Sequence, residues 1–435
     1  MKGQRGILRD VSDRNRAAKK CWIQYNGVKP MEFLKAITAK EAHDIINTYP
    51  VSPHTEIVDI NEALGRVLAD DVVAEEDIPP FSRSLVDGFA VKVKDTQGAK
   101  ETNPVLLYLK GEIRIGQEAR AVLESGSCIY LSTGSMMPEG SDGVVMQEYT
   151  RRMDDAVEIT KAAYRGENIC YTGEDIRKES TILHKGRRLS PFDLGALSAL
   201  GISGVWVFRK PSIALISSGD EIIEVSQKPA PGQIRDINRY TIASSLWKTG
   251  AMVTFTGIAK DDMEDITGLL RASAKHDMIL VSGGSSKGER DYITAAIEKL
   301  GGEILFHGIN IKPGKPTIFG NLWGKPIFGL PGHPVSCMMV VIRFVLPLVR
   351  RLEGEVKTDE QRTTGILTTN IPSSYGIEEY ARVRISYDNN GCQVTPIFAK
   401  SSVISSLSQA SGYVIVPEGK EGFEQGDEVA AYYFD

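Results

Sequence analysis

Hydrophobic and polar positions divide the chain into segments with different periods. Residues 38–49 repeat apolar side chains at helical spacing behind a capping pair, Thr38 and Glu41, which predicts a first helix. From about residue 54 to residue 175 the pattern changes to short β-rich runs separated by Gly, Pro, Asn and Asp clusters. This stretch predicts a mostly β domain with few helices.

The middle of the chain has a different rhythm. Ser190, Pro191 and Gly201 carry the signals that begin and end a helix over 190–201. Strands and helices then alternate, with strands predicted at 212–217, 252–256 and 277–282 and helices at 239–249, 263–275 and 291–300. Alternation at this spacing is typical of βαβ units and predicts a parallel sheet.

The remaining segments predict a hairpin, a long helix and a small β domain. The hairpin covers 316–329, and the helix runs from Pro334 to about Leu352, with a kink expected at Pro347. The last 75 or so residues return to short strands. At 435 residues, the chain is long enough for about three domains, so we expect a multidomain protein with α/β and β parts.

Charge is unevenly distributed along the chain. Residues 1–30 hold eight of the 51 basic and two of the 56 acidic residues, a net +6, which leaves −11 for the rest. The body of the chain therefore lacks the basic footprint of a nucleic-acid-binding protein. The first 30 residues predict a disordered basic tail, with a translation start at Met31 or a basic arm that binds a partner or nucleic acid as alternatives.

The cysteines and the hydropathy indicate a cytoplasmic protein that does not enter a membrane. The five cysteines lie far apart and form no CxxC pair, which predicts neither a disulfide framework nor a zinc cluster. Such usage fits a reducing compartment. The longest apolar run, 338–348, contains Arg343 and Pro347 and is too short to span a bilayer.

Loops after the predicted α/β strands carry the first candidate chemistry, because open sheets bind ligands outside the carboxyl ends of their strands. Gly283 and Gly284 follow one strand, and a glycine-rich loop at 330–334 precedes a helix. Glycine lets backbone N–H groups approach an anion closely, which predicts a phosphate cradle. Walker and GxGxxG motifs are absent from the sequence, so nucleotide hydrolysis and NAD binding are poorly supported.

Charged residues accompany these loops. Lys312 and Lys315 flank a Pro-Gly turn, which suits an oxyanion or polyphosphate, although a solvated basic turn has the same spacing. Acidic residues at predicted strand ends are Asp220, Glu221, Asp261, Asp262 and Asp291. Carboxylates beside phosphate predict a bridging divalent cation, Mg²⁺ by ligand type, whereas Asp261 or Asp262 could instead cap a helix. His333 is expected to cap its helix rather than bind a metal.

The β-rich part offers three loops with polar residues. Asp87 lies in an Asp-Gly turn, Thr133 in a Ser-Thr-Gly turn, and Asp175 in the string GEDI. From spacing alone these loops are ordinary turns of β hairpins.

Taken in order, nine strings are far more specific than any one of them: PPFSRSLVDGFAV, STGSMMPEG with DGVVMQE, GEDI, RLSPFDLGALSALGI, SSGDE, GQIRDIN, SGGSSKGERDY, IKPGKPTIFG and GLPGHPVS. So ordered, they closely resemble the molybdopterin molybdenumtransferase family, the MoeA-type enzymes and the E domain of gephyrin. The resemblance runs from about residue 31 to the C-terminus.

The resemblance implies a fold of four parts behind the basic extension. It implies a linking domain, a β-rich domain, a central three-layer α/β domain similar to molybdopterin adenylyltransferase, and a small C-terminal β-barrel. The expected bounds are 1–30 for the extension, 31–59 with 176–210 for the linking domain, 60–175 for the β-rich domain, 211–355 for the α/β domain and 356–435 for the C-terminal domain.

The resemblance also implies an activity. Family members insert molybdenum from molybdate into adenylylated molybdopterin, release AMP, and use Mg²⁺ or Zn²⁺. They are homodimers whose active site lies between the α/β domain of one subunit and the β-rich domain of the other. Contacts with a molybdopterin adenylyltransferase and with molybdoenzyme chaperones are further expectations, whereas nucleic acid and membranes are not expected partners.

Site residues follow from the resemblance position by position. On the β-rich side, the matching active-site residues are Asp87, Thr133 and Asp175. On the α/β side, the acidic residues for metal and pterin-nucleotide handling are Glu221, Asp261 and Asp291, with Glu221 and Asp291 as the metal ligands. The basic pair near molybdate is Lys312 and Lys315, and the molybdate pocket adds Ser336, Arg382 and Ser401 beside a loop shaped by Pro331 and Pro334. One departure is His333, which stands where the family commonly has Asn.

Three alternatives accompany this hypothesis. The chain could be a tungstate-inserting homologue, an adenylyltransferase that works through its α/β part alone, or a non-catalytic scaffold. In the main hypothesis, bound molybdate or a neighbouring water attacks a phosphorus of the diphosphate, and no side chain becomes acylated or phosphorylated.

Overall fold

The computed structural model describes residues 36–283, 292–356, 360–389 and 391–434. The predicted basic extension, 1–30, lies outside the described residues, as do Gly284 and Asp291.

Residues 36–210 form a first helix, which packs against the α/β part and not in the linking domain where it was predicted, and then a run of strands that begins and ends in the same small region. Their helices and strands are α1 (Ala39–Thr48), β1 (Thr55–Asp59), β2 (Val72–Val73), β3 (Arg83–Ser84), β4 (Gly88–Val91), β5 (Val105–Ile113), β6 (Ser127–Leu131), β7 (Gly143–Met146), β8 (Thr150–Arg152), β9 (Ala156–Ile159), β10 (Ile169–Cys170), β11 (Thr181–Leu183), α2 (Pro191–Ala199) and β12 (Gly204–Phe208). Strand β1 pairs with β12 and β2 pairs with β11, both antiparallel. The chain therefore leaves this linking region for the β-rich part and returns to it.

Capping fixes the starts of the two helices of this half. Thr38 and Glu41 form a complete capping box at α1, as the sequence predicts. Ser190 does the same at α2 with Asp193, and Pro191 occupies the first helical position. Hydrogen bonds from Arg187 and Ser190 outweigh partial burial and hold the pKa of Asp193 below its ordinary value.

The β-rich part is a six-stranded sheet in the order β7-β4-β6-β5-β9-β8. Strand β4 is buried along its whole length: Phe89 and Val91 pack into one apolar cluster, and Ala90 packs into another on the opposite face. Both faces of the central strands are therefore covered, which explains why the sequence there consists of continuous apolar runs. The predicted mostly β domain is confirmed.

The α/β part has strands alternating with helices. They are β13 (Ser212–Ser218), β14 (Ile222–Ile223), β15 (Ile234–Arg235), α3 (Asn238–Thr249), β16 (Met252–Ala259), α4 (Met263–Ala272), β17 (Met278–Ser282), α5 (Tyr292–Lys299), β18 (Glu303–His307), β19 (Ile311–Lys312), β20 (Ile318–Leu322) and β21 (Lys325–Leu330). The main sheet has the order β16-β13-β17-β21-β20-β18. Pairings among β16, β13, β17 and β21 are parallel, and β20 forms antiparallel pairs with β21 and β18.

Side chains alternate across this sheet and bury both faces. Ile213 and Leu215 pack into a cluster with α1 and α3, whereas Ala214 and Ile216 pack into a second cluster with α4 and α5. The three-layer α/β arrangement is thus confirmed. Ser282 is level with both Ser217 and Leu330 in the strand register, so the loops after these strands emerge at one edge.

The long helix after the sheet is divided rather than continuous. It comprises α6 (Pro334–Val340), a π-helical turn (Val341–Val345) and α7 (Leu346–Leu352). Pro347 lies in the first turn of α7, where its missing N–H removes one hydrogen bond of the helix. The irregularity predicted from Pro347 therefore occurs as a π turn immediately before it.

The C-terminal part is a closed barrel. Its elements are β22 (Arg362–Leu367), β23 (Ile371–Pro372), β24 (Glu378–Asp388), β25 (Gly391–Pro396), α8 (Ser405–Gln409), β26 (Gly412–Val416), β27 (Gly422–Phe423) and β28 (Glu428–Tyr433). Pairings run β24-β25-β22-β28-β26 and back to β24, which closes five strands around a core that includes Val383, Val394 and Val414. The small β-barrel is confirmed.

One strand of the α/β part belongs to the barrel's sheet. Strand β19 pairs in parallel with the start of β24, so that Ile311 lies opposite Glu378 and Lys312 opposite Glu379. The two domains therefore share main-chain hydrogen bonds, and the 311–316 turn is held at their junction.

Arg188 fastens the linking region to the α/β part. Its guanidinium pairs with Glu353 and Glu355 and also donates to the carbonyl oxygens of Gly65 and Thr249. Burial raises the pKa of Glu353, and the charge and hydrogen bonds of Arg188 oppose that effect.

In the part of the chain that the structure describes, no helix is long and apolar enough to cross a membrane.

His43 on α1 is a neutral histidine in an apolar setting. Its ring stacks on Phe344 with 4.5 Å between the ring centroids, and its Nε2 has no hydrogen-bond partner among the described residues. Burial, followed by the nearby Arg343, lowers the pKa of His43 from 6.5 to about 4.

We expect this histidine to make the protein less stable as the pH falls from 6.5 to about 4, because the unfolded chain gains a proton there that the folded chain excludes. The loss would be at most about 3 kcal/mol. His43→Phe keeps the stack and removes the titration, so thermal unfolding across this window should show a shallower pH slope. His54→Gln, at an exposed position, is the control and should leave the slope unchanged; an equal slope in His43→Phe would contradict the assignment.

Candidate active site

A cavity of about 600 Å³ lies at the junction of the α/β domain and the barrel. Its wall combines the 311–316 turn, the first turn of α6, strand β24 and the loop after β25. Five residues predicted for the molybdate pocket share this wall: Lys312, Lys315, Ser336, Arg382 and Ser401. The structure thus brings together residues separated by up to 89 positions in the sequence, and the ion that they bind stays a prediction.

The turn that carries the two lysines is held in shape by packing. Gly314 has φ +123°, and a Cβ there would lie 2.8 Å from Val340 Cγ2 and 2.9 Å from Ile311 Cδ1. Only glycine fits that position without displacement. Lys312 and Lys315 are consequently presented from one compact turn, and both are exposed.

Lys312 has a carboxylate partner that the sequence analysis missed. Its Nζ lies 3.1 Å from Glu379 Oε2, and the Glu379 side chain is only 14% exposed, against 57% for Lys312. Glu379 also lines the cavity, so one negative charge lies among the cationic side chains of the wall, Lys312, Lys315, Arg382 and Lys400. No local motif indicates this pair, because it depends on the pairing of β19 with β24.

Arg382 supplies a fixed cation at the barrel side of the cavity. It is 8% exposed, and its guanidinium donates to Ser406 Oγ and to the carbonyl oxygen of Ala399. Burial lowers the pKa of Arg382, but a guanidinium remains charged in proteins. Its position on β24 and these two bonds hold the charge at one place in the wall.

The loop before α6 contacts the barrel directly. Val335 N–H donates to the carbonyl oxygen of Ser401 over 3.1 Å, and His333 Nδ1 lies 3.0 Å from Ser401 Oγ. His333 occupies the N-cap position of α6, but its side chain makes no capping bond. The expected capping role of His333 is therefore wrong, because the ring is engaged by Ser401 of another domain. Pro331 is buried in this loop and Pro334 is the first residue of α6.

A second polar group lies at the carboxyl edge of the α/β sheet. Ser218 Oγ donates to Asp261 Oδ1 over 3.1 Å, and Asp261 N–H donates to Asp220 Oδ1 over 3.2 Å. Glu221 is exposed on the same loop. Of the two candidate caps, Asp262 is the one that caps α4, so Asp261 is left facing Ser218. Two of the acidic residues predicted at this edge, Asp220 and Asp261, therefore lie next to each other.

Gly283 packs against this group. It has φ +96°, and a Cβ there would lie 2.1 Å from the Ser218 carbonyl oxygen, so no other residue fits. Gly284 and Asp291, predicted beside it, lie outside the described residues. Within the described ranges, no group of three or more His, Cys, Asp or Glu side chains is arranged to hold a metal ion.

Asn238 connects the end of β17, just before Gly283, to the glycine-rich loop before α6. Its Nδ2 donates to Ser282 Oγ over 2.8 Å and to the carbonyl oxygen of Gly332 over 2.9 Å. Asp236 accepts hydrogen bonds from Ser217 Oγ and from Arg239 N–H at the same helix start. Asp236 and Asn238 belong to the string GQIRDIN, but the sequence analysis gave them no role. The available signal was an Asp and an Asn just before a predicted helix, in a domain with two Gly-rich loops.

Of the three residues predicted on the β-rich side, Asp87 and Thr133 contact each other. Thr133 donates to Asp87 Oδ1 from its backbone N–H over 2.6 Å and from its hydroxyl over 2.9 Å, which holds the pKa of Asp87 below its ordinary value. Asp175 is exposed, and its N–H donates to the carbonyl oxygen of Ile78. None of these three lines the cavity of the same chain.

Comparison with known proteins covers almost all of this architecture. Three family models match: "MoeA N-terminal region (domain I and II)" over residues 37–201, "Probable molybdopterin binding domain" over 214–351, and "MoeA C-terminal region (domain IV)" over 364–434. The chain belongs to the MoeA family. Its resemblance to that family, inferred from the sequence, is thereby confirmed.

Individual MoeA-family relatives agree. A molybdopterin biosynthesis protein of Methanocaldococcus jannaschii is 34% identical over 386 residues, which cover 86% of this chain and 91% of the relative. The molybdopterin molybdenumtransferase of Bacillus subtilis is 31% identical over 378 residues, 86% of this chain and 88% of the relative. The crystal structure of the MoeA protein from Pyrococcus horikoshii OT3 matches with a TM-score of 0.80 and 32% identity over 92% of this chain and all of that one.

In this MoeA-family chain the cavity lies between the part matched as a molybdopterin binding domain and domain IV, and Glu379 is its one carboxylate among the described lining residues. We expect Glu379→Gln to strengthen molybdate binding by about three- to tenfold, because it removes a negative charge and frees Lys312. Titration calorimetry measures the change. Glu378→Gln, one position away and outside the cavity lining, is the matched control. Weaker binding in Glu379→Gln would contradict the prediction and indicate that the carboxylate is needed to hold Lys312 in place.

Proposed function

We propose that this protein inserts molybdenum from molybdate into adenylylated molybdopterin and releases AMP. The observation that carries the proposal is the cavity that groups Lys312, Lys315, Arg382 and two serines at the junction of two domains. Family membership supports the same reaction, because relatives such as the Bacillus subtilis protein are named molybdopterin molybdenumtransferases.

The chemistry of the cavity suits a tetrahedral dianion. Ammonium and guanidinium groups supply charge, and hydroxyl groups supply directed donors, as an oxoanion of four equivalent oxygens requires. Arg382 is held by Ser406 and Ala399, and the lysine turn is held by Gly314, so little rearrangement is needed when the ion binds.

The carboxyl edge of the sheet supports binding of the pterin nucleotide. The edge offers the Gly283 turn and the carboxylates of Glu221 and Asp261. Such oxygens suit Mg²⁺, which proteins commonly hold with one or two carboxylates and substrate phosphate oxygens, so the donor chemistry fits a divalent cation shared with the diphosphate. When bound, the cation would neutralise diphosphate charge; Mg²⁺ is favoured over Zn²⁺, which prefers nitrogen and sulfur ligands.

The reaction needs no covalent enzyme intermediate. An oxygen of bound molybdate, or of a water beside it, attacks the molybdopterin-side phosphorus of the diphosphate link; a P–O bond forms there, the bridging P–O bond breaks, and AMP leaves with the electron pair. The two dithiolene sulfurs then form Mo–S bonds while one molybdate oxygen, with two protons, leaves as water, so molybdenum keeps its oxidation state. Lys312 and Lys315 offset the charge that develops during this transfer. A trapped phosphorylated enzyme would contradict this part of the proposal.

The candidate site residues of the β-rich part support a homodimeric enzyme. Asp87 is kept ionised by Thr133 yet lines no part of the cavity in its own chain. We therefore propose that Asp87, Thr133 and Asp175 of one subunit complete the active site of a second copy. Mixing two impaired variants, Asp87→Asn and Lys315→Ala, should raise the activity above that of either variant alone if the site is shared, and should not raise it if each chain works alone.

We also propose a cytoplasmic location. Four cysteines in the described ranges are free thiols, and burial raises the pKa of both Cys128 and Cys337 to about 12, which keeps them protonated and unreactive. Free thiols of this kind fit a reducing compartment.

The decisive experiment supplies adenylylated molybdopterin and measures AMP release with and without molybdate. We expect molybdate-dependent release, and a fall of about tenfold or more in kcat/KM for molybdate in Lys315→Ala, because a charge-assisted contact is lost. Lys299→Ala, an exposed lysine at the end of α5, is the control and should leave the rate unchanged. Preference for tungstate would identify a tungstate-inserting enzyme. Adenylylation of molybdopterin from ATP alone would identify an adenylyltransferase, and absence of both reactions would favour a scaffold.

A further inference from the structure

His333 and Ser401 connect two domains at the rim of the oxoanion cavity. His333 Nδ1 lies 3.0 Å from Ser401 Oγ, and the neighbouring Val335 N–H holds the Ser401 carbonyl oxygen. Ser401 lines the cavity, whereas His333 does not. The His333 ring can therefore act on an ion in the cavity through the Ser401 hydroxyl, without contacting the ion itself.

A serine hydroxyl has a single hydrogen, and this fixes what it can offer. If His333 Nδ1 carries a hydrogen, it donates to Ser401 Oγ and leaves the hydroxyl hydrogen free for an anion. If Nδ1 is bare, the hydroxyl donates to the ring and presents only lone pairs to the cavity, which repel an anion. A charged imidazole carries hydrogens on both nitrogens, so protonation selects the first arrangement.

Among the described residues, the other charged groups around the rim do not supply such a switch. Those on the elements that meet there are Lys312, Lys315, Glu379, Arg382, Lys400, Asp236 and Arg239. Lys312 is paired with Glu379, Arg382 is fixed to the barrel backbone, and Asp236 accepts from Ser217 and Arg239 N–H. Lysine, arginine, aspartate and glutamate ordinarily keep their charge near neutral pH, whereas histidine is the residue type that can change charge there.

We propose that His333 is a positioning residue that turns the Ser401 hydroxyl toward the oxoanion, so that molybdate binding tightens as the pH falls and is accompanied by proton uptake. The proposal rests on the proposed function, since it concerns the oxoanion of that reaction. It assigns a pH-dependent affinity to the interface between the α6 loop and the barrel.

Titration calorimetry of the full-length protein with molybdate tests this between about pH 6 and about pH 8.5. For the unsubstituted protein we expect roughly tenfold tighter binding at the acid end, with protons taken up from buffer. His333→Asn places an amide donor there at every pH, so affinity should persist while the pH slope and proton uptake disappear. His54→Asn, at an exposed site outside the cavity, should keep both.

A second variant separates positioning from direct charge. Ser401→Ala removes the hydroxyl, so it should weaken binding and abolish the pH slope although His333 is intact. Adding His333→Asn to Ser401→Ala should then change nothing further. A slope that survives Ser401→Ala, or one unchanged in His333→Asn, would overturn the proposal while leaving the reaction intact. Failure of the unsubstituted protein to bind molybdate at any pH would overturn both the proposal and the assignment of the cavity.

Discussion

Main-chain hydrogen bonding between β19 and β24 joins the α/β domain to the barrel, and the candidate active site depends on it. The pairing sets Lys312 opposite Glu379 and brings the lysine turn up to Arg382. Side-chain contacts alone would leave two domains free to shift relative to each other, whereas backbone pairing fixes their register. A binding cavity assembled from two domains therefore keeps its shape without a ligand.

At the carboxyl edge of the α/β sheet, two backbone segments approach closely, and buried polar side chains support the loops there. Gly283 comes so near Ser218 that a side chain is excluded, and Asn238 joins the strand end to the loop at Gly332. The loops that would face a substrate are thus supported by hydrogen bonds from the start of α3, which lies under the edge rather than at its surface.

Much of the fold was predictable because its signals are local. Capping residues locate α1 and α2, and alternating strand and helix patterns predict the parallel sheet; the C-terminal run of short strands predicts a β domain. The strings that resemble MoeA-type enzymes predicted five of the residues that line the cavity, whereas the other predicted site residues in the described ranges lie outside its lining. What the sequence could not provide depends on contacts between distant segments: the partner of Lys312, the engagement of His333 by Ser401, and the support from Asn238. His333 illustrates the limit, since its position before a helix suggested a cap and a residue 68 positions later determined otherwise.

The sharing of one cavity by two domains has an energetic consequence. An ion bound between the lysine turn and the barrel contacts both, so it can bind fully only while both are folded and docked. By mass action, its binding free energy is then added to the stability of the docked state and to neither domain separately. The concentration of the inorganic substrate would therefore set the stability of the junction, which would be greatest when molybdate is abundant.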